Sequence, residues 1–218
     1  MALNKLKFNS LNVTPTAGKT IGFNSSANGL EATLSGGAMT FIKKLTASSS
    51  STLSFVDGSS DVVLDNTYKE YLFILNNIHA ETDQTTVGFN LSIDGGSNYN
   101  VVKTTTTFDA YHNEADNSLG LENRTDTLAQ STADVRLNSN QGNGDDESLS
   151  GSLTIFNPSS SVFVKHFLAS TAEYYYNDRF INYYVAGYGN TTSAVDAVQF
   201  KMSSGNIDSG TITLYGIN

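Results

Sequence analysis

Between Val87 and Ile93 every second residue is large and apolar: Val87, Phe89, Leu91 and Ile93 alternate with Gly88, Asn90 and Ser92. A repeat of two belongs to an extended strand, whose side chains point to opposite faces in turn, so this segment reads as a half-buried β-strand. Asp94-Gly-Gly-Ser-Asn98 follows directly, and its glycines supply the positive φ angles of a reversal. The pair predicts a hairpin whose second strand begins at Tyr99. The same alternation returns at Leu149–Ile155, at Val162–Leu168, at Val195–Met202 with Val198, Phe200 and Met202 inward, and at Thr211–Ile217 with Ile212 and Leu214 inward. No run of ten or more residues carries a helical stripe with capping residues, and only Thr125–Ala133 reads as a helical turn. The chain is therefore expected to be all-β, an antiparallel, jelly-roll-like β-sandwich.

Composition agrees with this and narrows the chemistry. Polarity comes mainly from Ser, Thr, Asn and Gly rather than from helix-forming Glu, Lys and Arg. With 218 residues the chain can bury a core unaided, and it has no cysteine, which excludes a thiol nucleophile, a zinc–thiolate site and a disulfide scaffold. Charged residues are 15% of the chain and the formal net charge is −9, so a nucleic-acid backbone would be repelled. No stretch reaches the ~20 apolar residues that span a bilayer, and Met1–Leu11 lacks the apolar core of a signal peptide. The expectation is a protein made in a cytoplasm, with no nucleic-acid partner and no membrane insertion.

Two regions depart from regular patterning. Residues 1–40 are polar, with Pro15, several glycines and scattered apolar positions, and read as an N-terminal arm or small attachment subdomain that lies against the body or a neighbouring subunit. Residues 41–218 read as the β-sandwich domain, interrupted by a long polar excursion at 103–148 with one short strand at Val135 and Leu137. The tip at Gly142–Glu147 reads as an exposed turn.

Two strands fail to alternate. Tyr71-Leu-Phe-Ile-Leu75 and Phe180-Ile-Asn-Tyr-Tyr-Val-Ala186 place apolar or aromatic residues on both faces. In the second, Phe180, Tyr184 and Tyr188 share one side, and Ile181, Tyr183 and Val185 share the other. A two-layer sandwich hides only one face of each sheet, so the other needs the arm, the excursion or another copy of the chain, a symmetric oligomer being the favoured cover. Tyr174, Tyr175, Tyr176, Tyr183, Tyr184 and Tyr188 are accordingly the candidates for a subunit interface or a receptor-binding surface, because a tyrosine ring packs while its hydroxyl stays wet. The competing reading makes them rim tyrosines of a monomer.

Catalytic and metal-binding patterns are missing. His79, His112 and His166 fall in separate elements without ligand spacing, and no nucleophile elbow, Walker loop, dinucleotide fingerprint or zincin motif occurs. A paired-carboxylate hydrolase draws its acids from distant strands and leaves no motif, but Asp57, Asp94, Asp116, Asp145, Asp146 and Glu147 sit in turn-like, solvated settings. Asp94–Asn98 and Gly142–Glu147 lack the ligand ladder of a calcium loop and read as turns. The expectation is no enzyme, no cofactor and no metal.

The C-terminal run Val198-Gln-Phe-Lys-Met-Ser-Ser-Gly-Asn-Ile-Asp-Ser-Gly-Thr-Ile-Thr-Leu-Tyr-Gly-Ile217 resembles the closing motif of tailed-bacteriophage virion proteins, in which a strand leads through an SGNI-x-SG turn to a last strand ending in LYGI. Leu45–Phe55, Tyr71–Ile74, the S-x-DGG-x-x-Y segment Ser92–Tyr99 and Leu149–Leu153 are similar to the same proteins, so the likeness covers roughly Phe41 to the end. The resemblance implies a β-hairpin at the C-terminus, with Gly205 and Gly210 relieving its turn. It further implies a virion structural protein: a capsid decoration or head fibre, or a tail appendage, on the particle's exterior. Its partners would be copies of itself, as a homotrimer, and other capsid or tail proteins. The alternative is a receptor- or carbohydrate-binding module of a tail fibre, in which the tyrosines stack on host-surface glycan and the 103–148 excursion frames the site. The family carries no catalytic residue to transfer.

Overall fold

The structure is a computed structural model that describes residues 20–23, 26, 28–33 and 38–218. It divides into two compact units, residues 1–40 and 41–218. Within the first, β1 (Thr20–Phe23) and β2 (Leu30–Thr33) pair antiparallel from Thr20↔Thr33 to Phe23↔Leu30. Most of the expected arm, and with it the question of what the arm lies against, falls outside the described residues.

The larger unit is a sandwich of two antiparallel sheets. Its strands are β3 (Met39–Thr46), β4 (Leu53–Val56), β5 (Glu70–Ala80), β6 (Val87–Ser92), β7 (Lys103–Asn113) and β8 (Leu119–Asn123), then β9 (Val135–Arg136), β10 (Leu149–Phe156), β11 (Lys165–Tyr175), β12 (Arg179–Gly189), β13 (Ala197–Met202) and β14 (Ile207–Ile217). Eight strands form one sheet in the order β3-β14-β5-β10-β11-β12-β7-β8, and four form the other in the order β4-β13-β6-β9. This order does not confirm the jelly-roll connectivity expected from sequence. Among the described residues there is no helix, so Thr125–Ala133 is no helical turn; Ser131 instead bridges to Lys103.

Alternation builds the core. Tyr71, Phe73 and Leu75 of β5, Leu153 and Ile155 of β10, and Ile212 and Leu214 of β14 point inward from the large sheet and are buried. Phe55, Phe89 and Phe200 face them from the small one. Phe73 and Phe200 stand 5.4 Å apart between ring centroids, Phe55 and Phe73 5.2 Å, and Phe89 and Phe167 5.1 Å, so edge-to-face and tilted ring contacts tie the two sheets together. All belong to one hydrophobic cluster.

Several expectations fail for one reason: alternation locates strands but not their partners. β6 and β7 belong to different sheets, so the Asp94 turn starts a crossing between layers rather than a hairpin, and the next strand begins at Lys103, not Tyr99. Ile93 lies past the end of β6 and is exposed. β13 and β14 also lie in different sheets, so the C-terminal motif is an arch between layers and not a β-hairpin. Gly205, at φ +69, does sit in that turn, but Gly210 lies inside β14 at φ +110, where a Cβ would meet Asn77 O at 2.3 Å. It forms an irregularity opposite Asn77, itself at φ +49, that shifts the β14–β5 register. The excursion is partly ordered β-structure: β7 is a full-length strand paired to β12 along its whole length, and β8 pairs with it at the sheet edge.

Candidate interaction face

The small sheet covers the large one from one side. Residues after β8 add to that cover, burying polar side chains against β7, β11 and β12. Asp126 Oδ2 accepts a hydrogen bond from Tyr183 OH at 3.0 Å and faces Arg136 Nη1 at 3.4 Å, while Arg124 Nη1 lies 3.4 Å from Asp109 Oδ2. Glu173 Oε1 accepts the Ser139 and Asn140 backbone N–H groups at 2.9 and 3.3 Å. Glu173 is 1% exposed, and burial pushes its carboxyl up to about 7 against the hydrogen bonds that favour the charge. Burial also raises the Asp109 acid, with Arg124 opposing.

The opposite face of the large sheet has no such cover from the described residues of the sandwich. Outward positions on β10, β11, β12 and β7 carry no Asp, Glu, Lys or Arg. They carry Leu168 at 53% exposure, Phe180 at 55% and Phe108 at 42%, with Leu121 of β8 at 71% beside them. Phe108 and Tyr184 are direct cross-strand partners, and their rings stack 4.8 Å apart at 13°. Between that stack and Leu168 the small side chains Ser152, Ser170, Ala186 and Thr106 leave a groove of about 340 Å³. A second hollow, about 360 Å³, continues along Leu168, His166 and Tyr188.

This layout separates the six tyrosines. Tyr184 and Tyr188 lie on the outer face, Tyr188 with its ring 6.2 Å from that of His166. Tyr174 lies on that face too, its hydroxyl donating to Glu114 Oε1 at 3.1 Å, which raises it to about 12. Tyr175 turns inward against the core, and Tyr176 follows the end of β11, its ring 4.6 Å from Tyr175. Tyr183 is a correction: at 1% exposure it is a core residue, because alternation along β12 puts it opposite Tyr184. Leu168, Phe108 and Leu121 were not singled out by the sequence, the last two because they stand within the polar excursion.

The three histidines remain apart: His79 contacts Asp208 Oδ2 and Gly144 O, His112 contacts Asp116, and His166 packs near Tyr188. Among the described residues no group of three His, Cys, Asp or Glu is arranged to hold a metal ion, and no helix is long and apolar enough to cross a membrane. Asp94 lies in the predicted turn, where hydrogen bonds from Asn98 and Ser92 hold its carboxyl below the usual range. Compared with protein-family models and with curated proteins, the sequence has no significant match to either.

Proposed function

We propose that the chain is a structural protein of a bacteriophage virion, a capsid decoration, head fibre or tail appendage. In this reading it stands on the particle's exterior and associates with copies of itself, and with other virion proteins, through the outer face of β10, β11, β12 and β7. The observation that carries the reading is that uncharged, partly apolar face. Contiguous exposed apolar surface marks an interaction site more often than it is left open to water. In a chain of net charge −9, a face without charge lets like chains approach with the least repulsion. The C-terminal likeness to virion proteins supplies the setting, and the homotrimer is the assembly that it implies.

Light scattering on the full chain at micromolar concentration tests the self-association, and cryo-electron microscopy of particles tests the location. We expect an oligomer that Leu168→Asp dissociates while circular dichroism remains that of the wild type. A monomeric wild type that is absent from particles would remove the proposal. A second reading, a carbohydrate-binding module, is favoured by the groove itself, where the Ser152, Ser170 and Thr106 hydroxyls lie beside the Phe108–Tyr184 stack. A glycan array separates the two: binding lost in Ser170→Leu would favour the module, and no binding would favour the assembly role.

A further inference from the structure

Lys103 opens β7 in the large sheet, and Asn90 lies in β6 of the small one. Both side chains are buried, at 0% and 4% exposure. Lys103 Nζ stands 2.5 Å from Asn90 Oδ1 and 2.7 Å from Val101 O, with no carboxylate of the described residues at ion-pair distance. The amide carbon lies one C=O bond, about 1.2 Å, beyond that oxygen. Burial draws the lysine down to about 8, against the pull of Asp134, so much of it is free amine in mildly alkaline solution.

The rest of the amide is held by groups suited to its exchange. Oδ1 also accepts the Leu91 N–H at 2.9 Å, a donor placed where negative charge would develop. Nδ2 donates to Asp134 Oδ1 at 2.8 Å and to Thr132 O at 3.0 Å. Lys201 Nζ, 3.0 Å from Asp134 Oδ2, steadies the carboxylate. A pocket of about 180 Å³ lined by Gly88, Asp134 and Lys201 opens beside it and gives a small leaving molecule a way out.

We propose that Lys103 and Asn90 join in an intramolecular amide bond, with Asp134 as the proton carrier. The neutral Nζ attacks Asn90 Cγ, and the tetrahedral oxyanion rests on the Leu91 N–H. Once bonded to Cγ, Nζ sits beside Nδ2, on which Asp134 Oδ1 already rests at 2.8 Å, and the proton that Nζ sheds passes through Asp134 to Nδ2. The Cγ–Nδ2 bond breaks, ammonia leaves, and a Cγ–Nζ amide remains. No oxidant or co-reactant is consumed, and the chain loses the one positive charge of Lys103. Lys165 makes the contrast: equally buried, it donates to the backbone carbonyls of Ser160, Phe163 and Thr191 and meets no side-chain amide among the described residues, so none of these can acylate it. The new bond ties one sheet to the other in a chain without cysteine, a covalent tie that reductants leave intact.

Mass spectrometry of the full folded chain, incubated at mildly alkaline pH and then denatured, tests this. The expected mass is below that of the sequence by one ammonia. Trypsin supplies an independent reading, because Asn90 and Lys103 fall in one peptide, 70–103, bounded by Lys69 and Lys103. An acylated Lys103 resists cleavage, and the peptide runs on to Arg124 as a looped 70–124 species, also short of one ammonia. Lys103→Arg and Asn90→Ala should each restore the sequence mass, allowing for the substitution. Asp134→Asn should slow the loss at least tenfold. The full sequence mass together with an intact 70–103 peptide from wild-type protein overturns the bond, whether or not the variants fold. Unslowed loss in Asp134→Asn overturns the role of Asp134.

Discussion

Replacing Glu173 by glutamine should remove a pH dependence that the fold otherwise carries. Glu173 is almost fully buried between β11 and the segment after β9, and its carboxyl is raised from 4.5 to about 7. Below the unfolded-state value both states hold the proton, and the group contributes its full stability. Between about 4.5 and about 7 the native state holds more protons than the unfolded one, so stability falls as pH rises. Above about 7 the loss is complete. At about 1.4 kcal/mol per pH unit, this interval corresponds to a loss of about 3 kcal/mol. In Glu173→Gln the amide oxygen can still accept the Ser139 and Asn140 N–H groups. Its NH₂ replaces Oε2, which has no hydrogen-bond partner among the described residues, at a cost of about 1 kcal/mol that does not vary with pH. Asp109, also raised by burial, is present in both proteins and belongs to both curves. Urea titrations at fixed ionic strength from about pH 4.5 to about pH 8.5, with m unchanged, give the difference between the two proteins. The variant should gain about 3 kcal/mol on the wild type across that range. Parallel curves would refute a buried Glu173 that loses its proton only near neutral pH.

Two further substitutions probe the framework. Phe200→Ala removes the ring that meets Phe73 of the opposite sheet and Phe55 and Phe89 of its own, and should cost about 3–5 kcal/mol in urea unfolding; a cost below about 1 kcal/mol would mean that the sheets do not meet there. Gly210→Ala sets a Cβ 2.3 Å from Asn77 O at a φ of +110 and should destabilise by more than about 1 kcal/mol, whereas an unchanged midpoint would contradict the irregularity in β14.

How far the sequence reached depended on whether the information was local. Side-chain alternation is fixed by the pleat, so Val87–Leu91 and Leu149–Ile155 revealed both the strands and their inward residues, and Phe180–Val185 the strand and its two sides without saying which turns inward. The same rule exposed the double-sided character of β5 and β12, from which a second covered surface was inferred. Composition hid β7: Lys103-Thr-Thr-Thr-Thr looks like a loop because its inward residues include Lys103, Thr107 and Asp109 rather than aliphatics, and only polar partners from other segments allow their burial. Strand partnership was out of reach for the same reason. Short turns after β6 and β13 look like hairpin turns, yet each hands the chain to the opposite sheet.

By itself, then, the sequence determined a cysteine-free, all-β chain with alternating strands and weak charge, since these follow from residue type and the geometry of the pleat. Tertiary structure alone decided which tyrosines reach the outer face and which, like Tyr183, end in the core. It also decided that Leu168 and Phe108 border one groove, and that Lys103, Asn90 and Asp134 meet. These are contacts between separate strands and loops, within the large sheet for the groove and between the two sheets for Lys103 and Asn90, set by packing as a whole and by no local pattern.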